Sequence, residues 1–149
     1  MVTMVDLPMR TGTDVIIYPV HPVPVYLSAC FERQREMRYK RKELEQLGYA
    51  VTGSWIDEGE GEKRSSAIAL RDWHDIASAR VFVLFTEPLV CKSGGKHVEM
   101  GIAYQLGQEI VLVGPRGNVF HHLEGVRQFD TWEDAKVYLE ERRRRVYHG

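Results

Sequence analysis

The stretch Ser93-Gly-Gly-Lys-His-Val-Glu-Met-Gly-Ile-Ala103 has the pattern of a glycine-rich turn that leads into a helix. Two short runs rich in β-branched and aromatic residues flank it, at 80–86 and 109–114, and such runs are typical of strands buried on both faces. Strand, turn, helix and strand in this order form a βαβ unit with parallel strands. Because ligands of open parallel sheets bind beyond the carboxyl ends of the strands, we expect Glu99 to lie beside a small-molecule site.

The rest of the chain continues this alternation of strand and helix patterns. Further strands are predicted at 25–29, at 49–52 with a continuation through 54–56, and at 126–129. Helices are predicted at 32–47, at 67–77 and after residue 131. This alternation predicts an α/β fold with a doubly wound, five-stranded parallel sheet in the flavodoxin-like order 2-1-3-4-5.

Local signals mark the starts of two of these helices. Ser65 or Ser66 can cap the helix at 67–77, in which Leu70 and Trp73 belong to an apolar stripe at roughly helical spacing. The segment 131–134 has the form of a capping box and predicts the start of the last helix.

A chain of 149 residues has the length of one domain, and we expect a single core. The predicted domain covers residues 24–149, and residues 1–23 form an N-terminal extension. Prolines at positions 8, 19, 22 and 24 interrupt this part of the chain. An edge strand, a dimer arm and a poorly ordered segment therefore stay open as alternatives for it.

Composition limits the classes of partner. The 20 Lys and Arg residues against 21 Asp and Glu residues give a formal net charge of -1, which does not favour nucleic-acid polymers or anionic membranes. The sequence has no apolar run of membrane-span length and no signal-peptide pattern at its start, so we expect a cytoplasmic protein.

Cysteines and histidines offer little chemistry by their spacing. Cys30 and Cys91 form neither a disulfide framework nor a metal-ligand pattern, so we expect two reduced thiols. Histidines 97, 121 and 122 also lack metal-ligand spacing, and no metal site is predicted.

Carboxylates are the candidate catalytic groups. An acid in the first turns of a helix favours the helix dipole and needs no function, but glycines at 94, 95 and 101 leave room for a ligand beside Glu99. Asp72 and Asp75 lie three residues apart on the helix before the central strand, a spacing that is also typical of a solvated face. A pair of acids, one nucleophile and one proton donor, is the arrangement that cleaves glycosidic bonds.

The turn after the first strand is a candidate anion site. Ser28 offers a hydroxyl, the following helix offers its first amides, and Arg33 or Arg35 offers a guanidinium that can bind phosphate. Ordinary surface arginines on a charged helix explain the same residues equally well.

Three segments together resemble a known family. Val25-Tyr-Leu-Ser-Ala29, Arg71-Asp-Trp-His-Asp-Ile-Ala77 and Gly95-Lys-His-Val-Glu-Met-Gly-Ile-Ala103 resemble, in order and spacing, the nucleoside 2-deoxyribosyltransferase superfamily over residues 24–140. Within it the chain is similar to the branch of nucleoside 5′-monophosphate N-glycosidases and CMP hydrolases. The segment around Glu99 is the most specific of the three.

The resemblance implies roles for three catalytic residues. Glu99 corresponds to the glutamate that attacks the anomeric carbon and forms a glycosyl-enzyme intermediate. Asp72 corresponds to the aspartate that assists the leaving base or orients the sugar, and Tyr26 to the aromatic residue beside sugar and nucleophile.

The resemblance and the turn chemistry together imply a set of substrate-binding residues. Phosphate is expected near the first strand and the glycine turn, and the loop at 118–122 is expected to enter a neighbouring subunit's site, so that active sites are shared in a homodimer or higher homo-oligomer. The predicted residues are Ser28, Arg33, Arg35, Ser93, Gly94, Gly95, Asn118 and His121.

The predicted function is cleavage or exchange of the N-glycosidic bond of a nucleoside or nucleoside 5′-monophosphate, without a metal or redox cofactor. Two alternatives stay open. Arg80 and the pair Ala29-Cys30 depart from the family pattern, and they favour a nucleotide-binding or regulatory module with weak turnover. A TIR-type NAD glycohydrolase also uses a glutamate on an α/β sheet.

Overall fold

The computed structural model describes residues 9–10, 16–17, 21–59 and 64–148, with side chains from 21 to 144 outside the gap. Met9–Arg10 and Ile16–Ile17 pair as two short antiparallel strands. Most of the predicted N-terminal extension, residues 1–23, lies outside the described residues, and its role stays a prediction. In the described part of the chain, no helix has both the length and the apolar character that crossing a membrane requires.

Within the described ranges, five parallel strands form the central sheet. They are β1 (Val23–Ser28), β2 (Tyr49–Val51), β3 (Val81–Phe85), β4 (Glu109–Val113) and β5 (Arg127–Phe129). Their order across the sheet is β2-β1-β3-β4-β5, with every pairing parallel. The predicted α/β class and the flavodoxin-like order 2-1-3-4-5 are confirmed.

In the part of the chain that the structure describes, four helices cover the two faces of the sheet. They are α1 (Gln34–Gln46), α2 (Ser66–Ala77), α3 (Gly95–Gln105) and α4 (Trp132–His148). Ser65 caps α2 by accepting a hydrogen bond from the Ile68 amide at 3.3 Å, and Thr131 Oγ1 accepts one from the Asp134 amide at 3.2 Å. Both predicted helix starts are confirmed.

The central strands carry the core because both of their faces are covered. All five residues of β3 are fully buried, and the neighbouring strands β1 and β4 are almost as apolar. On one face Tyr49 of β2 donates a hydrogen bond from its hydroxyl to the Leu139 carbonyl of α4 at 2.7 Å. On the other face Gln108, just after α3, donates to the Ile76 carbonyl of α2 at 2.6 Å and ties these two helices together.

One local prediction is wrong. The strand expected to continue through 54–56 is a short 3-10 turn at Ser54–Asp57, because the Trp55 indole turns inward and donates to the Leu27 carbonyl at 2.8 Å. The apolar stripe of α2 is only partly buried, since Leu70 is 56% and Trp73 43% exposed. Ile76 alone of the α2 side chains is buried in the core.

The expectation of two reduced thiols is also wrong, because Cys30 and Cys91 form a disulfide with 6.0 Å between their Cα atoms. That Cα separation is within the ordinary range for a cystine. Strands β1 and β3 are neighbours in the sheet, so the segments that follow them meet at the same edge although the cysteines are 61 residues apart. Spacing along the chain does not reveal this proximity.

Candidate active site

A cavity of about 520 Å³ opens at the carboxyl edge of the sheet. Four segments line it: the end of β1 and its following turn, the turn after β2, the start of α2, and the segment that leads into α3. This volume falls in the range of about 300–1,000 Å³ that is usual for small-molecule sites. The cavity lies where the sequence pattern predicted a ligand to bind.

Glu99 lies in the second turn of α3 and reaches into this cavity. Its Oε2 atom is buried and has no hydrogen-bond partner among the described residues. Burial raises the pKa of the Glu99 carboxyl from 4.5 to about 7; a hydrogen bond from the Tyr26 hydroxyl opposes this rise, and the nearby charge of Asp72 adds to it. The carboxyl group therefore changes its ionisation near neutral pH, and its deprotonated form is a poorly solvated anion.

Tyr26 is fixed beside Glu99 by packing. Its ring stacks on Phe82 of the neighbouring strand, with 5.6 Å between ring centroids and 6° between the planes. Burial first, and then the charge of Glu99, raises the pKa of the Tyr26 hydroxyl well above its ordinary value. Tyr26 therefore stays protonated and remains a hydrogen-bond donor to the carboxylate.

Two glycines allow these groups to approach the backbone closely. A β-carbon at Gly53 would lie 3.1 Å from both the Tyr26 ring and the Trp55 indole. A β-carbon at Gly95 would lie 3.8 Å from Glu99 Oε1, so any longer side chain there would extend into the space beside the carboxylate. The glycine turn thus keeps one side of Glu99 open to a ligand.

A second group of charged residues also lines the cavity. Asp72 lines the cavity, and its Oδ1 atom accepts hydrogen bonds from Arg71 Nε at 3.3 Å and Nη2 at 3.1 Å. Arg71 also forms an ion pair with Glu58, which lines the cavity as well. Arg71 therefore joins the turn after β2 to α2 and holds two carboxylates at the cavity wall.

Asp75 has a different environment from Asp72. Its Oδ2 atom accepts a hydrogen bond from the Ser54 amide at 2.9 Å, and its carbonyl accepts one from Thr52 Oγ1 at 2.7 Å. Asp75 does not line the cavity and serves to connect α2 to the chain after β2.

Among the described residues, three cationic side chains line the cavity, and one of them already has hydrogen-bond partners within the protein. Lys96 is 2% exposed, and its Nζ donates to the Thr86 and Pro88 carbonyls at 2.7 Å each. Burial lowers the pKa of Lys96, and the charge of Arg33 lowers it further. Arg64 and Lys92 are exposed at the cavity and carry the positive charge that faces a ligand.

The structure brings only part of the predicted site together. Tyr26, Asp72, Ser93, Gly95 and Glu99 all line the cavity. The predicted residues that do not line it are Ser28, Arg33, Arg35, Gly94, Asn118 and His121.

Two of these residues have structural surroundings of their own. Ser28 is completely buried, and its Oγ has no partner among the described residues. The Arg33 guanidinium lies over the Phe85 ring, with 5.0 Å from Cζ to the ring centroid, and donates to the Glu87 carbonyl at 3.0 Å. Arg33 therefore stabilises the loop after β3 from outside the cavity.

Asn118 and His121 belong to a polar cluster beside α3. The Asn118 amide nitrogen is 3.4 Å from His97 Nδ1 and 3.3 Å from His121 Nε2, and the Gly117 amide donates to His121 Nδ1 at 2.8 Å. Within the described ranges, histidine, cysteine and acidic side chains do not gather in a group of three that could hold a metal ion.

Sequence reasoning missed several residues of the cavity wall. Glu58 and Arg64 border the polar, glycine-broken loop that follows β2, and Phe31 follows β1. Their position could have predicted them, because any segment that follows a parallel strand at the carboxyl edge of the sheet can line a binding site.

Comparison with solved structures identifies a similar fold. The CMP N-glycosidase BcmB of Clostridium botulinum superposes with a TM-score of 0.53, covering 79% of this chain and 96% of that chain, at 20% sequence identity. The two proteins share a fold. A candidate pilus assembly-related protein of Burkholderia pseudomallei superposes with a TM-score of 0.50, covering 89% of this chain and 94% of that chain, at 15% sequence identity.

These neighbours have quite different descriptions, so the likeness extends to the fold and carries no activity with it. No protein-family model and no curated protein matches the sequence. The comparison supports a related fold, and membership of the nucleoside 2-deoxyribosyltransferase superfamily or of one of its branches stays a prediction.

Proposed function

We propose that the protein cleaves or exchanges the N-glycosidic bond of a nucleoside or nucleoside 5′-monophosphate. The observation that carries this proposal is Glu99, a buried carboxyl group with its pKa raised to about 7, hydrogen-bonded by Tyr26 in a cavity of about 520 Å³. A carboxylate that is poorly solvated and open on one side is suited to nucleophilic attack. The shared fold with a CMP N-glycosidase agrees with this chemistry.

The proposed reaction has two displacements. The Glu99 carboxylate attacks C1′, the bond from C1′ to the base nitrogen breaks with its electron pair leaving on the base, and the base takes up a proton. Water or an acceptor base then attacks C1′ and releases Glu99, so that the configuration is retained. Asp72 faces the same cavity and either donates the proton to the base or orients the sugar.

The exposed cations of the cavity wall are the proposed contacts for a 5′-phosphate. Arg64 and Lys92 are the cavity cations that are exposed to a ligand, whereas Lys96 donates to two carbonyls. Arg64→Gln and Lys92→Gln should each raise KM about tenfold or more for the monophosphate and leave KM for the nucleoside unchanged, since a charge-assisted contact is worth about 1.5–3 kcal/mol. Arg35→Gln is the matched control, because Arg35 does not line the cavity. Equal effects on both substrates would contradict this placement.

Incubation with a panel of nucleosides, 5′-monophosphates and NAD, with and without a free acceptor base, tests the proposed function. Chromatography of released base should show turnover of at least one nucleoside or monophosphate by the wild type and none by Glu99→Gln. Release of nicotinamide from NAD alone would favour the NAD glycohydrolase alternative. A ligand that raises the melting temperature without any base release would favour a binding module.

We also propose that active sites are shared between subunits. Val119 is 73% and Phe120 64% exposed, so this apolar pair does not tuck under its own domain and is available to a second copy of the chain. A mixture of the inactive variants Glu99→Ala and Asn118→Ala should regain activity if subunits exchange and a neighbour completes each site. His121 is left unchanged because it is 1% exposed and lies within its own subunit. Gel filtration that shows a monomer at assay concentration would refute the proposal.

A further inference from the structure

The cystine between Cys30 and Cys91 lies in the wall of the candidate active site. Cys30 follows β1, which carries Tyr26, and Cys91 precedes α3, which carries Glu99. Both cysteines line the cavity, and the proposed reaction uses neither of them. We propose that the pair is a reversible thiol–disulfide site whose oxidised form braces the substrate-binding wall. The inference rests on the proposed function of the same cavity.

The cystine is the long-range attachment of one short segment, residues 90–94. The residues just before this segment are held by other bonds, since Lys96 donates to the Thr86 and Pro88 carbonyls and Arg33 donates to the Glu87 carbonyl. In the described part of the chain, no hydrogen bond or ion pair links residues 90–94 to a residue distant in sequence. Val90 is 87% exposed and adds little packing. The disulfide is therefore the bond that keeps this segment against the cavity.

The segment 90–94 carries substrate-facing side chains, whereas the reacting groups lie elsewhere. Lys92 and Ser93 line the cavity from this segment. Glu99 lies within α3 and Tyr26 within β1, and both elements are held by the sheet and its covering helices. Loss of the disulfide should therefore weaken substrate binding more than the chemical step.

The two sulfur atoms differ in access, which determines the direction of exchange. Cys30 is 4% exposed, whereas Cys91 is half-buried. The thiolate of a small thiol attacks Cys91 Sγ, the bond to Cys30 Sγ breaks, and Cys30 leaves as a thiolate that takes up a proton. The thiolate of a second small thiol then attacks the sulfur of the first small thiol in the mixed disulfide, and Cys91 leaves as a thiolate that takes up a proton. The two small thiols are released together as a small-molecule disulfide. The protein gains two thiols, and two molecules of the small thiol are oxidised.

The test compares the full-length protein after treatment with glutathione disulfide and after treatment with dithiothreitol. Alkylation followed by intact mass counts the free thiols, and steady-state kinetics on the best substrate give KM and kcat for each form. Reduction should raise KM about tenfold, because the loosened segment must be ordered again on binding, and should change kcat less than about twofold. The control is the double variant Cys30→Ser/Cys91→Ser, which should match the reduced wild type and show no response to dithiothreitol.

Equal KM values in the oxidised and reduced forms would overturn the inference, and so would two alkylatable thiols that persist after treatment with glutathione disulfide. If neither form releases base from any substrate, the proposed function itself fails. Amide hydrogen exchange at residues 90–94 then tests whether the disulfide holds this segment against the cavity. Faster exchange after reduction supports it, and unchanged exchange overturns it.

Discussion

The Glu99→Gln substitution should stabilise the protein at alkaline pH while it removes the activity. In the folded protein burial raises the pKa of Glu99 from 4.5 to about 7. Because the carboxylate is less favourable in the folded state than in the unfolded state, its ionisation lowers the free energy of unfolding. Glutamine has nearly the same shape and can still accept the hydrogen bond from Tyr26, but it carries no charge at any pH.

The sign and size of the effect follow from these two pKa values. Well below pH 4.5 the Glu99 carboxyl is protonated in both the folded and the unfolded state, so it adds no pH dependence to the free energy of unfolding. As the pH rises from 4.5 to about 7, the unfolded state loses its proton first and the wild type loses stability. Well above pH 7 the loss is about 3 kcal/mol, since each pKa unit corresponds to about 1.4 kcal/mol.

Urea unfolding of both proteins at pH 4 and pH 8.5 measures this change. Any constant cost of burying the glutamine amide appears at both pH values, so the prediction concerns the difference between them. The stability of Glu99→Gln relative to the wild type should rise by about 3 kcal/mol from the lower to the higher pH. The wild-type kcat/KM should in turn rise through a pKa near 7, because the nucleophile must be ionised.

Glu109→Gln is a matched control with the opposite sign. Burial acts to raise the pKa of Glu109, but hydrogen bonds from Tyr138 and Arg142 outweigh it and hold the pKa below the ordinary value. The Glu109 carboxylate therefore stabilises the fold above its unfolded pKa, and this stabilisation is lost as the pH falls through the folded pKa. Glu109→Gln should be the less stable protein at pH 8.5, with a gap that narrows at pH 4. A stability difference for Glu99→Gln that does not change with pH would refute the reasoning.

Three further predictions concern single residues. Tyr26→Phe removes a hydrogen bond that lowers the pKa of Glu99, so the acid limb of the kcat/KM profile should move up by about one pH unit; an unmoved limb would contradict the contact. Asp72→Asn should slow release of natural bases about 100-fold and spare substrates whose leaving group needs no proton, while Asp75→Asn serves as control because Asp75 lies outside the cavity. Phe120→Ser should weaken self-association in sedimentation velocity, since Phe120 is 64% exposed.

The fold was predictable because its signals are local and repeated. The run at 81–85 contains only apolar residues, and this pattern alone indicates a strand covered on both faces. Ser65 and Thr131 mark helix starts through hydrogen bonds to amides three residues ahead, so their signals lie within the segment itself. The strand prediction for 54–56 was wrong because these apolar residues form a turn. In this turn the Trp55 indole donates a hydrogen bond to the Leu27 carbonyl of β1.

The candidate site was predictable only in part. Glu99 follows a glycine turn after a central strand, and topology alone places it at the carboxyl edge. The contacts that surround it depend on side-chain direction and on segments far apart in sequence. Arg71 reaches Glu58 across 13 positions, and Cys30 reaches Cys91 across 61. Residue spacing within a single segment cannot predict such long-range pairs.

The buried position of Glu99 has opposite effects on folding and on the proposed reaction. Before substrate binds, the carboxylate has the Tyr26 hydroxyl as a donor, and its Oε2 atom has no partner among the described residues. In glycosidic bond cleavage, positive charge develops at C1′ as the base leaves. That charge would form directly beside an anion that water solvates poorly, and the attraction between them is stronger there than in water. The interaction is absent in the free protein and greatest in the transition state, so the burial that costs stability would lower the barrier. With an exposed carboxylate at the same position, the protein would be more stable but the carboxylate would be a weaker catalyst.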